Sequence, residues 1–216
     1  MEKYWQIEKT TLKYQMPLHL LVCIVLLGIS PLLMGVENLS AADTAKVLER
    51  YVALIGIVML TPVFLPEQDA AVRESVYSKY IKASRVYLVR LAGNVFILGV
   101  FLAIYIFMLR HNQCGFPVTK FYFGVFAEML FFGGLGVCFY GFSDNLVIGY
   151  MAPVVYYIAA VGGGNKYLKM FYPFSMSMGR YTEKIWLFAA AVFLLAAGIY
   201  FRCRRAGRDS SWLYNR

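Results

Sequence analysis

Six apolar stretches alternate with short polar ones along the 216-residue chain. They cover residues 18–35, 51–65, 86–109, 118–142, 146–161 and 185–201. A helix needs roughly 17–25 apolar residues to cross a bilayer, and most of these runs approach or reach that length. The pattern predicts an all-α membrane protein of six transmembrane helices. Pro17 suits a first helical turn, where a missing N–H costs little, and Pro31 should bend the first span. The second span has only fifteen residues. Either the stretch before it contributes, or neighbouring helices shield it. Pro62 and Pro66 should break that helix as it leaves the bilayer.

The polar intervals complete the domain plan. Residues 1–16 read as an interfacial amphipathic helix, with Tyr4, Trp5, Leu12 and Tyr14 as anchors and Lys3, Lys9 and Lys13 for an anionic surface. Residues 17–216 form the six-span domain. Within 37–50, Ser40 followed by Asp43 resembles the cap of a small surface helix. The longest polar interruption follows span two. Over 70–80 it holds good helix formers, and Val72, Val76 and Tyr80 recur every four residues, so one face is apolar. Ser143, Asp144 and Asn145 form a tight turn. Gly162, Gly163, Gly164 and Asn165 should end span five. Residues 164–184 are too rich in aromatics and methionine for a free loop, and short re-entrant helices are expected there. A basic tail, 202–216, closes the chain.

Composition strengthens the membrane reading. Sixty per cent of residues are hydrophobic and 15% charged, whereas soluble domains carry about 25% charged residues. The net charge of +9 does not call for nucleic acid. With the N-terminus inside, the inner segments hold 13 of the 21 lysines and arginines, as the positive-inside rule requires, so both termini are expected in the cytoplasm. Arg90, one turn into span three, should snorkel toward headgroups. The opening residues lack a cleavable apolar core, so the first span is expected to target the chain and stay in it.

Little catalytic chemistry is legible. H-E-x-x-H, G-x-S-x-G and G-x-x-x-x-G-K-[ST] are all missing, so no enzyme activity and no P-loop nucleotide site are expected in this chain. Cys23, Cys114, Cys138 and Cys203 fit no metal spacing and no disulfide framework. His19 and His111 lie at span edges without partner ligands. Met170, Met176 and Met178 suit interfacial packing better than soft-metal capture. Glu128 is the one clear mid-span charge, and a carboxylate facing lipid costs about 2.5–3.5 kcal/mol by insertion scales. It is read either as a structural hydrogen-bonding or protonated carboxyl, or as a residue of cargo contact or gating. Gly124, Gly133, Gly134 and Gly136 form a small-residue seam for helix packing.

Three features together resemble the permease subunits of type 2 ABC transporters, mostly exporters. One is Pro66-Glu67 followed by AAVRESVYSKY between spans two and three. Another is LFFGGLGVCFYGFSDNLVIGYMAPVVYYI across spans four and five. The third is the apolar outer segment before span six. The resemblance covers nearly the whole chain, although Ala70, Ala71 and Val72 stand where the family often has glycine. It implies a cytoplasmic coupling helix over about 67–80, with Glu67, Arg73, Glu74 and Tyr77 contacting the motor. It also implies ATP-binding cassette ATPase subunits that carry the ATP and Mg, and a second permease, identical or paralogous. Glu128, Phe131 and Phe132 become candidates for the cargo path or its gate. The cargo would be a peptide, a lipid or an amphipathic drug, and the site of action a bacterial cell membrane. A secondary transporter and a non-transporting anchor or sensor subunit are the alternatives. A lipid-directed membrane enzyme is disfavoured by the missing motifs.

Overall fold

A computed structural model describes residues 16–69, 72 and 83–213. Among these the regular structure is entirely helical. We number the α-helices α1 (Met16–Met34), α2 (Ala41–Arg50), α3 (Ile55–Leu60), α4 (Ala83–His111), α5 (Val118–Ser143), α6 (Leu146–Val161), α7 (Gly164–Leu168) and α8 (Thr182–Leu213). Short 3-10 turns at Val52–Leu54, Thr61–Gln68, Lys169–Phe171 and Met176–Met178 join them.

Five helical stretches are long and apolar enough to cross a membrane: Met16–Met34, Ala41–Gln68, Ala83–His111, Val118–Ser143 and Thr182–Arg205. Helix α6 is apolar but only 16 residues long. This is the architecture of a multi-pass membrane protein. Leu18, Leu21, Ile24 and Leu32 of α1, Phe96 and Phe107 of α4, and Ile185 and Phe193 of α8 point outward and exposed. Water would not tolerate such continuous apolar faces; lipid would.

The second crossing begins earlier than the apolar pattern indicates. Ser40 does cap a helix, accepting from the Asp43 amide at 3.2 Å. That helix is not a small surface element, however. It buries Ala45, Val47, Leu48 and Glu49 and runs on through the 3-10 turn into α3. The stretch Ala41–Gln68 totals 28 residues. Its polar first turns hid the true start. Pro62 and Pro66 both lie in the closing 3-10 segment, where the tighter winding replaces regular α-helix.

Ala41–Gln68 and α5 are mostly buried and form the centre, while α1, α4 and α8 wrap them and stay largely exposed. The glycine seam serves this centre. A Cβ on Gly133 would stand 2.7 Å from the Gly56 carbonyl oxygen, so the two central segments touch backbone to backbone. Gly134 instead faces Ala191 and Leu194 of α8.

The chain turns at two opposite ends. At one, Asn38 N–H donates to the Asn112 carbonyl at 3.1 Å, and Cys114 Sγ donates to the Val36 carbonyl at 3.4 Å. At the other, Asp144 ends α5 at φ +57°, a left-handed conformation that Asp tolerates, and Asn145 Oδ1 caps α6 by accepting from the Val147 amide at 2.9 Å. We call these the Asn38 end and the Asp144 end. The expected short helices between α6 and α8 are present: Gly163, at φ +128°, starts α7, and two 3-10 turns follow.

Candidate functional site

Two buried ionic clusters stand out, one toward each end of the bundle. At the Asp144 end, the 3-10 segment after α3 delivers Glu67 to a position with no solvent exposure. Tyr87 Oη donates to Glu67 Oε2 at 2.6 Å, and Arg90 Nη1 donates to Oε1 at 3.0 Å. Arg202, about two-thirds of the way along α8, places Nε 3.7 Å from Oε2 and donates through Nη1 to Asp144 Oδ1. The Arg202 guanidinium also sits over the Phe64 ring, 5.7 Å from its centroid. Two carboxylates and two guanidiniums balance, and Asp144 alone of the four keeps about a third of its side chain exposed. Arg90 does not snorkel outward as its position in sequence suggests. Its side chain is buried because a carboxylate waits for it inside.

The cluster has a mechanical consequence. Glu67 stands just before polar residues 69–82 in the chain, and Tyr87 and Arg90 lie in the first turns of α4, which begins at Ala83 just after them. Both feet of that segment are therefore fastened to the same carboxylate. Through Arg202 and Asp144 the fastening extends to α8 and to the turn between α5 and α6. Arg73, Glu74 and Tyr77, expected as motor contacts beside Glu67, lie outside the described residues, as do residues 1–15 of the interfacial helix expected over 1–16.

The second cluster lies in the half toward the Asn38 end. Glu49 of α2, Glu128 of α5 and Lys184 of α8 converge, both carboxylates fully buried. Lys184 Nζ reaches Glu49 Oε1 at 2.8 Å and Glu128 Oε2 at 2.7 Å, and also donates to the Pro173 carbonyl. Glu49 further accepts the Met176 amide at 2.8 Å and the Ser177 amide at 3.2 Å. The aromatic segment before α8 is thus pinned onto α2 by its backbone. Tyr172 in the same segment is buried, which pushes its phenol above the ordinary tyrosine range.

Phe131 and Phe132 are not beside Glu128's carboxyl in any open channel. They are buried in a ring cluster with Tyr156, at centroid distances of 5.1 and 6.2 Å. Tyr157 extends it to Phe132 at 6.0 Å and Phe174 at 5.5 Å, while its hydroxyl donates to the Arg50 carbonyl at 2.7 Å. An open groove of about 320 Å³ lies between α5 and α8, walled by Phe123, Phe126, Tyr181 and Phe188 with Lys120 and Lys184. Among the described residues no group of three His, Cys, Asp or Glu side chains could hold a metal ion.

Glu49, Lys184, Arg202 and Asp144 escaped the sequence reading as site residues. Each stands at a predicted span boundary, where a charge looks solvated. The available signal was proximity: Lys184 directly precedes the last apolar run, and Arg202 directly follows it. Comparison of the chain with protein-family models, with curated proteins and with solved structures finds no match.

Proposed function

We propose that this chain is the membrane-spanning permease subunit of an ATP-driven exporter of the type 2 ABC class. In this reading α6 is the fifth of six crossings, the Asp144 end faces the cytoplasm of a bacterial cell, and both termini lie there. Residues 67–80 are the coupling element. ATP and Mg belong to separate ATP-binding cassette subunits, and this chain hydrolyses nothing itself. A second permease, identical or paralogous, completes the path.

The observation that carries the reading is the seat of Glu67. A segment meant to receive force from a soluble motor must not slide on the helices it moves. Tyr87, Arg90 and Arg202 hold both of its feet in a desolvated ionic lock, so a push on 69–82 is delivered to α3, α4 and α8 together. The cargo class that fits is amphipathic: a peptide, a lipid or a drug. Glu128, Phe131 and Phe132 join its path only if α5 parts from α6, because all three are closed off within a single chain.

One observation favours the secondary-transporter alternative. The Glu49–Lys184–Glu128 cluster is the kind of intramembrane charge group that ion-coupled carriers use. Purification separates the two. The tagged chain, extracted from its native membranes in mild detergent, should carry an ATP-binding cassette subunit and hydrolyse ATP. Arg73→Glu combined with Glu74→Lys should strip that subunit off or uncouple it. A folded chain that purifies without any ATPase refutes the exporter reading and leaves the ion-coupled one.

A further inference from the structure

The Glu128 cluster contains two carboxylates and one ammonium, and its hydrogen bonds show how the charge is shared. Lys184 has three N–H groups, and all three are committed: to Glu49 Oε1, to Glu128 Oε2 and to the Pro173 carbonyl. Glu49 is served as an anion, since it accepts two backbone amides besides the lysine. Glu128 is served differently. Its Oε2 accepts from Lys184, but its Oε1 is buried with no hydrogen-bond partner among the described residues.

Among the described residues no second cation pairs with Glu49 or Glu128. Helix α6 brings Tyr156 and Tyr157 near enough to interact electrostatically with Glu128, and the segment before α8 brings Tyr172. Tyrosines are neutral at physiological pH. Arg50 lies over the Phe174 ring, 5.8 Å from its centroid, and Arg180 pairs with Glu183 at 3.3 Å. Among the described residues only Lys184 forms an ion pair with either buried carboxylate. With both acids ionised, the site would hold a net negative charge at zero exposure, which a low-dielectric interior strongly disfavours.

We propose that the cluster is a proton-binding site and that Glu128 is its neutral member, with the proton on Oε1. Glu49 and Lys184 then form a balanced pair, and Glu128 contributes an uncharged carbonyl oxygen to the third arm of the ammonium. The inference does not depend on the exporter reading; it concerns the charge state of the bundle itself. It also gives the proton a structural task. The segment holding Pro173, Met176 and Ser177 is secured through Lys184 and Glu49. Loss of the proton would pull Lys184 between two anions and weaken that attachment.

Infrared spectroscopy of the purified full-length protein at neutral pH tests this. The wild type should show a protonated-carboxyl C=O band that shifts on exchange into deuterium oxide, and Glu128→Gln should lose it. The same substitution, a neutral isostere of the proposed acid, should leave the thermal unfolding midpoint unchanged, whereas Glu49→Gln should lower it. Should Glu128→Gln fail to fold, Glu128→Asp serves instead, since it should move the frequency of the band. A band that persists in folded Glu128→Gln overturns the proposal. So does the absence of a band with a midpoint that climbs with sodium concentration, which would assign the charge compensation to a metal cation.

Discussion

Glu67 Oε1 and Arg90 Nη1 lie 3.0 Å apart although 23 residues separate them in the chain. One residue closes the central crossing and the other sits about two turns into the helix that follows the polar segment. Neutralising one partner leaves the other charged, buried and unpaired. Glu67→Gln should therefore cost about 3–5 kcal/mol, the usual result of breaking a buried pair from one side. Thermal unfolding in detergent measures it. A double-mutant cycle with Arg90→Gln should return a coupling of about 0.5–3 kcal/mol, and a value near zero would show that the two residues act independently.

The contact between the central segments gives a second expectation. Gly133→Ala forces a Cβ to 2.7 Å from the Gly56 carbonyl oxygen, a backbone atom that cannot swing aside, and also against the Leu60 side chain. Overpacking of this kind destabilises by about 1–3 kcal/mol. Gly28→Ala is the control. Its Cβ meets nothing within 4 Å, and alanine is the better helix former, so stability should hold or rise slightly.

Orientation is open to chemical labelling. Single cysteines at Asn112 and Asn145, introduced in a variant lacking Cys23, Cys114, Cys138 and Cys203, mark the two ends of the bundle. A membrane-impermeant maleimide should label Asn112→Cys in intact cells and Asn145→Cys only after permeabilisation. The reverse result would turn the proposed topology over and place residues 69–82 outside the cell.

Glu49 should behave as a clamp on the segment before α8. Its carboxylate receives the Met176 and Ser177 amides. Replacing it with alanine leaves both amides without their acceptor and Lys184 with only Glu128 and the Pro173 carbonyl, a loss of about 1–3 kcal/mol locally. Hydrogen exchange of peptides spanning residues 173–178 should then accelerate roughly 5- to 150-fold, the range to which that energy corresponds. Exchange at the Asp144 end should be unaffected.

The helical architecture was legible because hydropathy is a long-range average that tolerates local exceptions. Glu128 was legible for the opposite reason, as a lone charge in an unbroken apolar run. Its partners were not. Glu49 lies in a helix whose first turns read as a polar loop, and Lys184 sits beside Glu183 and Arg180 at what looks like a solvated boundary. Arg90 illustrates the same limit. A cation one turn inside a span reads as reaching for headgroups, and only the fold brings Glu67 within range. Ion pairs distant in sequence leave no local pattern, since either charge alone is compatible with an exposed surface.

Helix α8 begins at one cluster and passes through the other. Lys184 and Arg202 are eighteen residues apart, a rise of about 27 Å at 1.5 Å per residue. The hydrocarbon core of a bilayer is about 30 Å thick. Because carboxylates hold it at both ends of its apolar span, this helix has little freedom to lengthen its apolar reach by sliding. It acts as a fixed gauge of membrane thickness, and a bilayer of longer acyl chains must thin locally around it.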